Sequence, residues 1–200
     1  MANEFKREWH DEICRVAGEC GGLRPGHAEF FFLRHGQTEH NFRRIVQPQM
    51  GVPLNDAGRR QAEQAAAKLV GRKISNIVAS DSDRAWQTAQ TVARVCGWPV
   101  RAAPDLRERH WGELIGKSNI GLDWGSSPAG GETLADFTTR TLKGLVAALV
   151  DSDTLVTAHG GTFYVLTAAL GIAYNADQPT NAAPMHFRLN GSGRWQFEQL

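Results

Sequence analysis

Arg34 and His35 stand side by side, directly after four large apolar residues (Phe30 to Leu33) and directly before Gly36. The pattern recurs downstream, where Thr154-Leu155-Val156-Thr157-Ala158 runs into His159-Gly160-Gly161. A second arginine, Arg84, comes after Ser80-Asp81-Ser82-Asp83 at the end of another short apolar run. Imidazoles act as nucleophiles, proton carriers or metal ligands. Guanidiniums stay charged at any relevant pH, and their fork matches phosphate oxygens. Two of each at strand ends would suit an oxyanion and chemistry upon it. An isolated Arg-His pair is more often a solvent-facing strand cap, so the surrounding elements decide.

Phe30 to Leu33 read as a strand buried on both faces, too short for a core helix. Arg34 and His35 then lie at the strand's carboxyl end, where open α/β sheets bind ligands. Gly36 is expected to turn the backbone there and bring main-chain N–H groups to the ligand. Asn55 offers an N-cap for an alanine-rich helix over 57–70, which Gly71 ends. Residues 74–80 read as a second strand and 84–96 as a second helix, placing Arg84 in its first turn. A cation there opposes the helix dipole, a conflict that a bound anion would remove. Strand then helix, twice over, predicts an α/β fold with a parallel sheet and crossover helices. Pro99 to Ala102 reads as an edge strand, 134–150 as a third helix and 163–170 as a fourth. Residues 185–189 and 194–199 read as a closing pair joined at Asn190-Gly191.

Residues 3–17 place Phe5, Trp9, Ile13 and Val16 at helical spacing, and a glycine-rich link comes next. The expected organisation is therefore an N-terminal arm over 1–28 and one catalytic domain over 29–200. The arm is expected to pack on the body or on a second subunit, as in a homodimer, without a role in the site. His10 and His27 are expected at the surface, and His186 as a packed or surface residue. A net charge of +1 and a pI near 7.8 give no global field for nucleic acid or membrane. Cys14, Cys20 and Cys96 are widely spaced, which suits reduced thiols and a cytoplasmic location. Neither a signal peptide nor a spanning segment is legible.

A metal site would explain two histidines and an acid, but arginines beside it would repel a divalent cation, and HExxH is absent. The lysine loop GxxxxGK[ST] and the serine elbow GxSxG are absent too. Histidine remains as the nucleophile: a neutral imidazole can attack phosphorus, and water can cleave the resulting N–P bond. Phosphoryl transfer then needs arginines for charge and a nearby carboxylic acid for the leaving oxygen. Glu108 and Glu113 are the acids available, in a stretch where charges and aromatics interleave.

Leu33-Arg34-His35-Gly36-Gln37-Thr38-Glu39-His40-Asn41 resembles the signature of the histidine phosphatase superfamily, branch 1, the phosphoglycerate mutase-like group. Four further segments resemble that group in order: Pro53 to Ala62, Ser80 to Ala89, Leu106 to Gly112, and Ala158 to Gly161. The resemblance spans residues 30 to about 165. It implies a three-layer α-β-α sandwich with a mainly parallel central sheet, and a phosphohistidine on His35. Arg34, Arg84 and His159 would hold the phosphoryl group and Glu108 would protonate the leaving oxygen. Asn41 and the N–H of Gly160 would add hydrogen bonds. Thr38, Arg109, His110 and Trp111 lie in these segments and Gln47 between the first two of them, and these are the further candidates for substrate contact. No metal is implied. One departure concerns the family's Q-G-x-x-D: here Pro48 comes after Gln47, and Gly51 stands where the acid is expected.

A mutase must keep its phosphohistidine from water beneath a basic cover. The interval from Gly112 to Gly131 is short, has Lys117 but no arginine, and is rich in glycine and serine. A loose cover and an open pocket favour hydrolysis of a small phosphorylated metabolite without a cofactor. The alternative, a mutase primed by a bisphosphoglycerate, draws on Glu108-Arg109-His110-Trp111, which is similar to the mutases' E-R-H-Y. A reading of another class is an inactive protein that only binds a phosphate ligand. Trp111 and Trp124 could face a sugar or base, though tryptophans more often pack.

Overall fold

The computed structural model describes residues 5–173 and 179–200, with the backbone alone for 5–7. A six-stranded sheet runs in the order β3-β2-β4-β1-β5-β6. Its strands are β1 (Glu29–Arg34), β2 (Asn76–Ala79), β3 (Val100–Ala102), β4 (Thr154–Ala158), β5 (Pro184–Leu189) and β6 (Trp195–Gln199). The first four are parallel, β5 runs against β1, and β6 pairs back on β5. The helices are α1 (Phe5–Glu19), α2 (Glu39–Phe42), α3 (Asp56–Leu69), α4 (Asp83–Cys96), α5 (Leu134–Ala148) and α6 (Gly160–Ala169).

Alternation along β1 builds both cores. Phe30 and Phe32 pack with residues of α1, α5 and α6, whereas Phe31 and Leu33 pack with α3 and α4. This is the expected three-layer sandwich, with two antiparallel strands added at one edge. Helix α4 starts without a side-chain cap and ends on Gly97 in the left-handed region (φ 77°).

Helix α1 lies on α5 and α6, burying Trp9, Ile13, Val16 and Ala17. The first two residues of the predicted helix and the side chain of Phe5 fall outside the described residues. His10 is a correction: it faces inward beside Trp9 and is 5% exposed. Its position one residue after Trp9 carries it to the buried side, and burial lowers its pKa. His186 stacks on Phe31 and lies 2.9 Å from Glu29.

Gly36 serves a purpose other than the one its position suggested. Its N–H goes to Thr88 Oγ1 at 3.0 Å, and a Cβ there would collide with the backbone of Gly58 at the start of α3. The glycine lets β1 and α3 approach closely rather than presenting an amide to a ligand.

Candidate active site

Three neighbouring parallel strands deliver the site. Arg34 pairs with Ala158 and Ala79 with Thr157, so His35, His159 and Ser80 leave the sheet side by side. Backbone bonds continue the ladder one residue further, from His35 to Ala158 (3.0 Å) and from Ser80 to Thr157 (2.9 Å). The rings of His35 and His159 are consequently 5.2 Å apart. Behind them, Asn181 Nδ2 donates to the His35 carbonyl at 2.9 Å and braces the end of β1.

Hydrogen bonding sets the state of His35. Its Nδ1 lies 2.7 Å from the Gly36 carbonyl, which can only accept. The proton therefore sits on Nδ1, and Nε2 carries the lone pair. His159 Nε2 lies 2.9 Å from Ser80 Oγ, while its buried Nδ1 has no partner among the described residues. Both histidines are held well below the usual imidazole pKa, first by burial and then by the charge of Arg84, with Arg34 adding to it.

Arg84 is a buried cation and Arg34 a half-buried one, and each is short of partners among the described residues. Arg84 is 1% exposed and its Nη1 donates to the carbonyls of Pro48 (3.0 Å) and Gln49 (3.3 Å). Arg34 Nη1 donates to Pro179 O at 3.0 Å. The Nε of each is buried and unpartnered among the described residues. Burial lowers both pKa values, that of Arg84 to about 10, and the charge of Glu108 opposes the shift in each. A bound oxyanion would supply what both lack.

Glu108 faces the same pocket, whereas Glu113 is exposed and outside it, which decides between the two acids on position. Each carboxylate oxygen of Glu108 takes a backbone N–H, Oε1 from Arg109 (2.9 Å) and Oε2 from Gly161 (3.0 Å). Arg140 of α5 holds the segment by donating to the carbonyls of Asp105 (2.8 Å) and Arg107 (3.0 Å) while pairing with Glu132 (2.7 Å). Gly161 is required here, because a Cβ would collide with Glu108 Oε1 and Trp124.

The pocket measures about 380 Å³. Arg34, His35, Asn41, Gln47, Arg84 and Glu108 supply its polar lining, and Trp9, Trp111, Trp124 and Tyr164 its aromatic lining, with the Trp124 ring close beside Glu108. His159 is completely covered beside His35. Thr38 caps α2 and holds Gln47 Oε1 at 2.9 Å instead of lining the pocket. Gly160 and His110 do not line it either; His110 Nδ1 accepts from the Gly112 N–H. Arg109 is the main correction. It is fully buried, stacks over Trp111, and spends its guanidinium on the carbonyls of Trp124, Ser126 and Glu132. The loop it grips is pinned rather than loose. The unusual stretch after Gln47 is tied down as well. Gly51 N–H donates to Asp83 (2.5 Å), and Gln49 Nε2 donates to the Glu108 carbonyl (2.9 Å).

Sequence reasoning missed Ser80, Asn181, Arg140, Tyr164 and Trp9 as contributors. Ser80 directly follows β2 just as His35 follows β1, so that signal was present. Trp9 gave none, because an apolar stripe on a helix reads as packing.

The buried neutral imidazoles make stability depend on pH in one direction. The unfolded chain protonates them below about pH 6.5, and the folded chain resists. Their contribution is intact above that value and falls on acidification by up to about 1.4 kcal/mol per pH unit for each histidine. Thermal melts from pH 7.5 to 5 should show this decline, shallower by about one proton in His35→Asn. An unchanged slope in that variant would contradict it.

The sequence profile of the histidine phosphatase superfamily (branch 1) matches residues 30–200. Phosphoglycerate mutase-like protein 4 of Arabidopsis thaliana is 34% identical, covering 86% of this chain and 84% of that protein. Glucosyl-3-phosphoglycerate phosphatase of Mycolicibacterium vanbaalenii is 37% identical, covering 69% and 72%. Among solved structures, mycobacterial glucosyl-3-phosphoglycerate phosphatase complexed with VO3 superposes with a TM-score of 0.72 at 28% identity, covering 86% and 98%. Among the described residues, no helix is long and apolar enough to cross a membrane. With two strand-end histidines over a parallel sheet and a profile match across most of its length, the chain belongs to the histidine phosphatase superfamily, branch 1.

Proposed function

We propose that the protein is a phosphomonoesterase that hydrolyses a small phosphorylated metabolite through a phosphohistidine on His35. One observation carries the reading: two guanidiniums whose Nε atoms are unpartnered among the described residues and an imidazole with its lone pair on Nε2 share one pocket. The names of the mycobacterial relatives support a phosphatase. The phosphate oxygens sit on Arg34 and Arg84. His35 Nε2 attacks phosphorus, the ester P–O bond breaks, and the leaving oxygen takes a proton from Glu108. Water then attacks the phosphohistidine and gives its proton to Glu108, the N–P bond breaks, and inorganic phosphate leaves. His159, its Nε2 2.9 Å from Ser80 Oγ and its buried Nδ1 unpartnered among the described residues, stands beside His35 to contact a phosphoryl oxygen. Asn41 and Gln47 add polar contacts from the wall.

Water is favoured over a second substrate as acceptor. The described lining residues include two cations, Arg34 and Arg84, which the phosphate itself takes up, and Arg109 is committed to its loop. A mutase has to hold a carboxylate as well as phosphate. Exposed Asn119 and Gly121 line the pocket, so it opens to solvent.

The proposed steps use no metal, and the cytoplasm remains the compartment we propose. The purified protein should release phosphate from a panel of phosphomonoesters at the same rate with and without EDTA. No turnover of any ester between pH 5 and 8 would favour the inactive phosphate binder.

A further inference from the structure

The pocket also has an aromatic wall that phosphate chemistry leaves unused. Trp124 is partly exposed there, and its ring is fixed from three sides. Trp111 meets it edge-on at 5.0 Å, Tyr164 edge-on at 5.6 Å, and Trp9 lies tilted at 5.7 Å. The loop carrying Trp124 has no regular secondary structure, yet buried Arg109 clamps it through the carbonyls of Trp124 and Ser126. Trp9 comes from α1, which lies outside the residues matched by the superfamily profile. A wall of aromatic faces held this firmly is preorganised to receive a flat apolar surface. Beyond Arg34 and Arg84, no cation stands among the described lining residues to meet a second anion. A pocket of about 380 Å³ is also large for phosphate on a three-carbon chain.

We propose that α1 is a specificity element: Trp9 and Trp124 form a neutral aromatic subsite for the leaving group of a phosphomonoester that carries a ring and no second anionic group. The substrate class therefore differs from a phosphoglycerate. This rests on the phosphatase reading and narrows it.

Four esters that differ in the alcohol they release separate recognition by the subsite from recognition of phosphate: 2-phenylethyl phosphate, glucose 6-phosphate, glycerol 1-phosphate and 3-phosphoglycerate. All four depart as primary alcohols, so leaving-group reactivity is closely matched among them. At least one of the two ring esters should exceed glycerol 1-phosphate in kcat/KM by about 10-fold or more, with 3-phosphoglycerate lowest. Whichever ring ester leads tells an aryl from a sugar face. The ring-to-glycerol ratio should fall about 10-fold in Trp9→Leu and Trp124→Leu, and Trp124→Phe should keep most of it. Trp124→Leu alters a partly exposed side chain, so it remains informative if Trp9→Leu does not fold. Equal turnover of all four esters, or a ratio unmoved in the variants that fold, would overturn the proposal. If no ester is turned over, the phosphatase reading fails by itself. Quenching of tryptophan fluorescence then decides the subsite. Binding of 2-phenylethyl phosphate or glucose 6-phosphate about 10-fold tighter than inorganic phosphate supports it, and equal affinity of all three refutes it.

Discussion

His35→Ala should abolish turnover, lowering kcat by on the order of 10⁴-fold or more, while the protein still folds and still binds phosphate. The ring's hydrogen bond is to the carbonyl of the adjacent Gly36, so its removal costs only about 1–2 kcal/mol of stability. Arg34 and Arg84 remain to grip the anion. Deleting the ring also brings the pocket no new charge, because the imidazole is neutral: burial and the neighbouring arginines keep it so. Activity assays, a thermal melt at pH 7.5 and a titration with vanadate check the three parts separately. Turnover within about 10-fold of the parent would remove His35 from the chemistry.

Glu108→Gln should show a loss that depends on the leaving group. For an alkyl ester the departing alkoxide needs a proton, and kcat should fall by about 10²–10⁴-fold. For 4-nitrophenyl phosphate, whose phenolate departs unaided, the fall should stay within about 10-fold. Glutamine keeps the size of the side chain but sets an NH₂ against a backbone N–H, from Arg109 or from Gly161, so some stability is lost as well. That common loss affects both esters alike, and their ratio reads the proton. Equal losses for the two esters would assign Glu108 to positioning alone.

Much of this arrangement could be read in advance because strand ends are simple objects. A residue directly after a buried parallel strand must emerge at the sheet's carboxyl edge, which brought Arg34, His35 and His159 together without coordinates. Arg84 was placed by the helix that starts just beyond β2. What sequence spacing does not carry is the direction of long side chains on irregular loops. Arg109 sits beside Glu108 yet turns the opposite way, because three loop carbonyls claim its guanidinium. Gly36 reads as a ligand-facing turn, but its need is set by Gly58, which is distant in sequence and in contact through the backbone. Trp9 reaches the pocket only because α1 docks on α5 and α6, a tertiary fact that no local pattern encodes.

At the centre of the proposed mechanism, the ester's phosphorus passes through a covalent bond to His35. Rapid acid-free quenching of the enzyme during turnover of a ³²P-labelled ester, followed by peptide mapping, tests this most directly. Label is expected on the peptide containing His35, stable in base, lost in mild acid, and absent from His35→Ala. Turnover with no protein-bound label at any quench time, together with inversion of configuration at a chiral phosphorus, would show a single direct displacement by water and contradict the phosphohistidine.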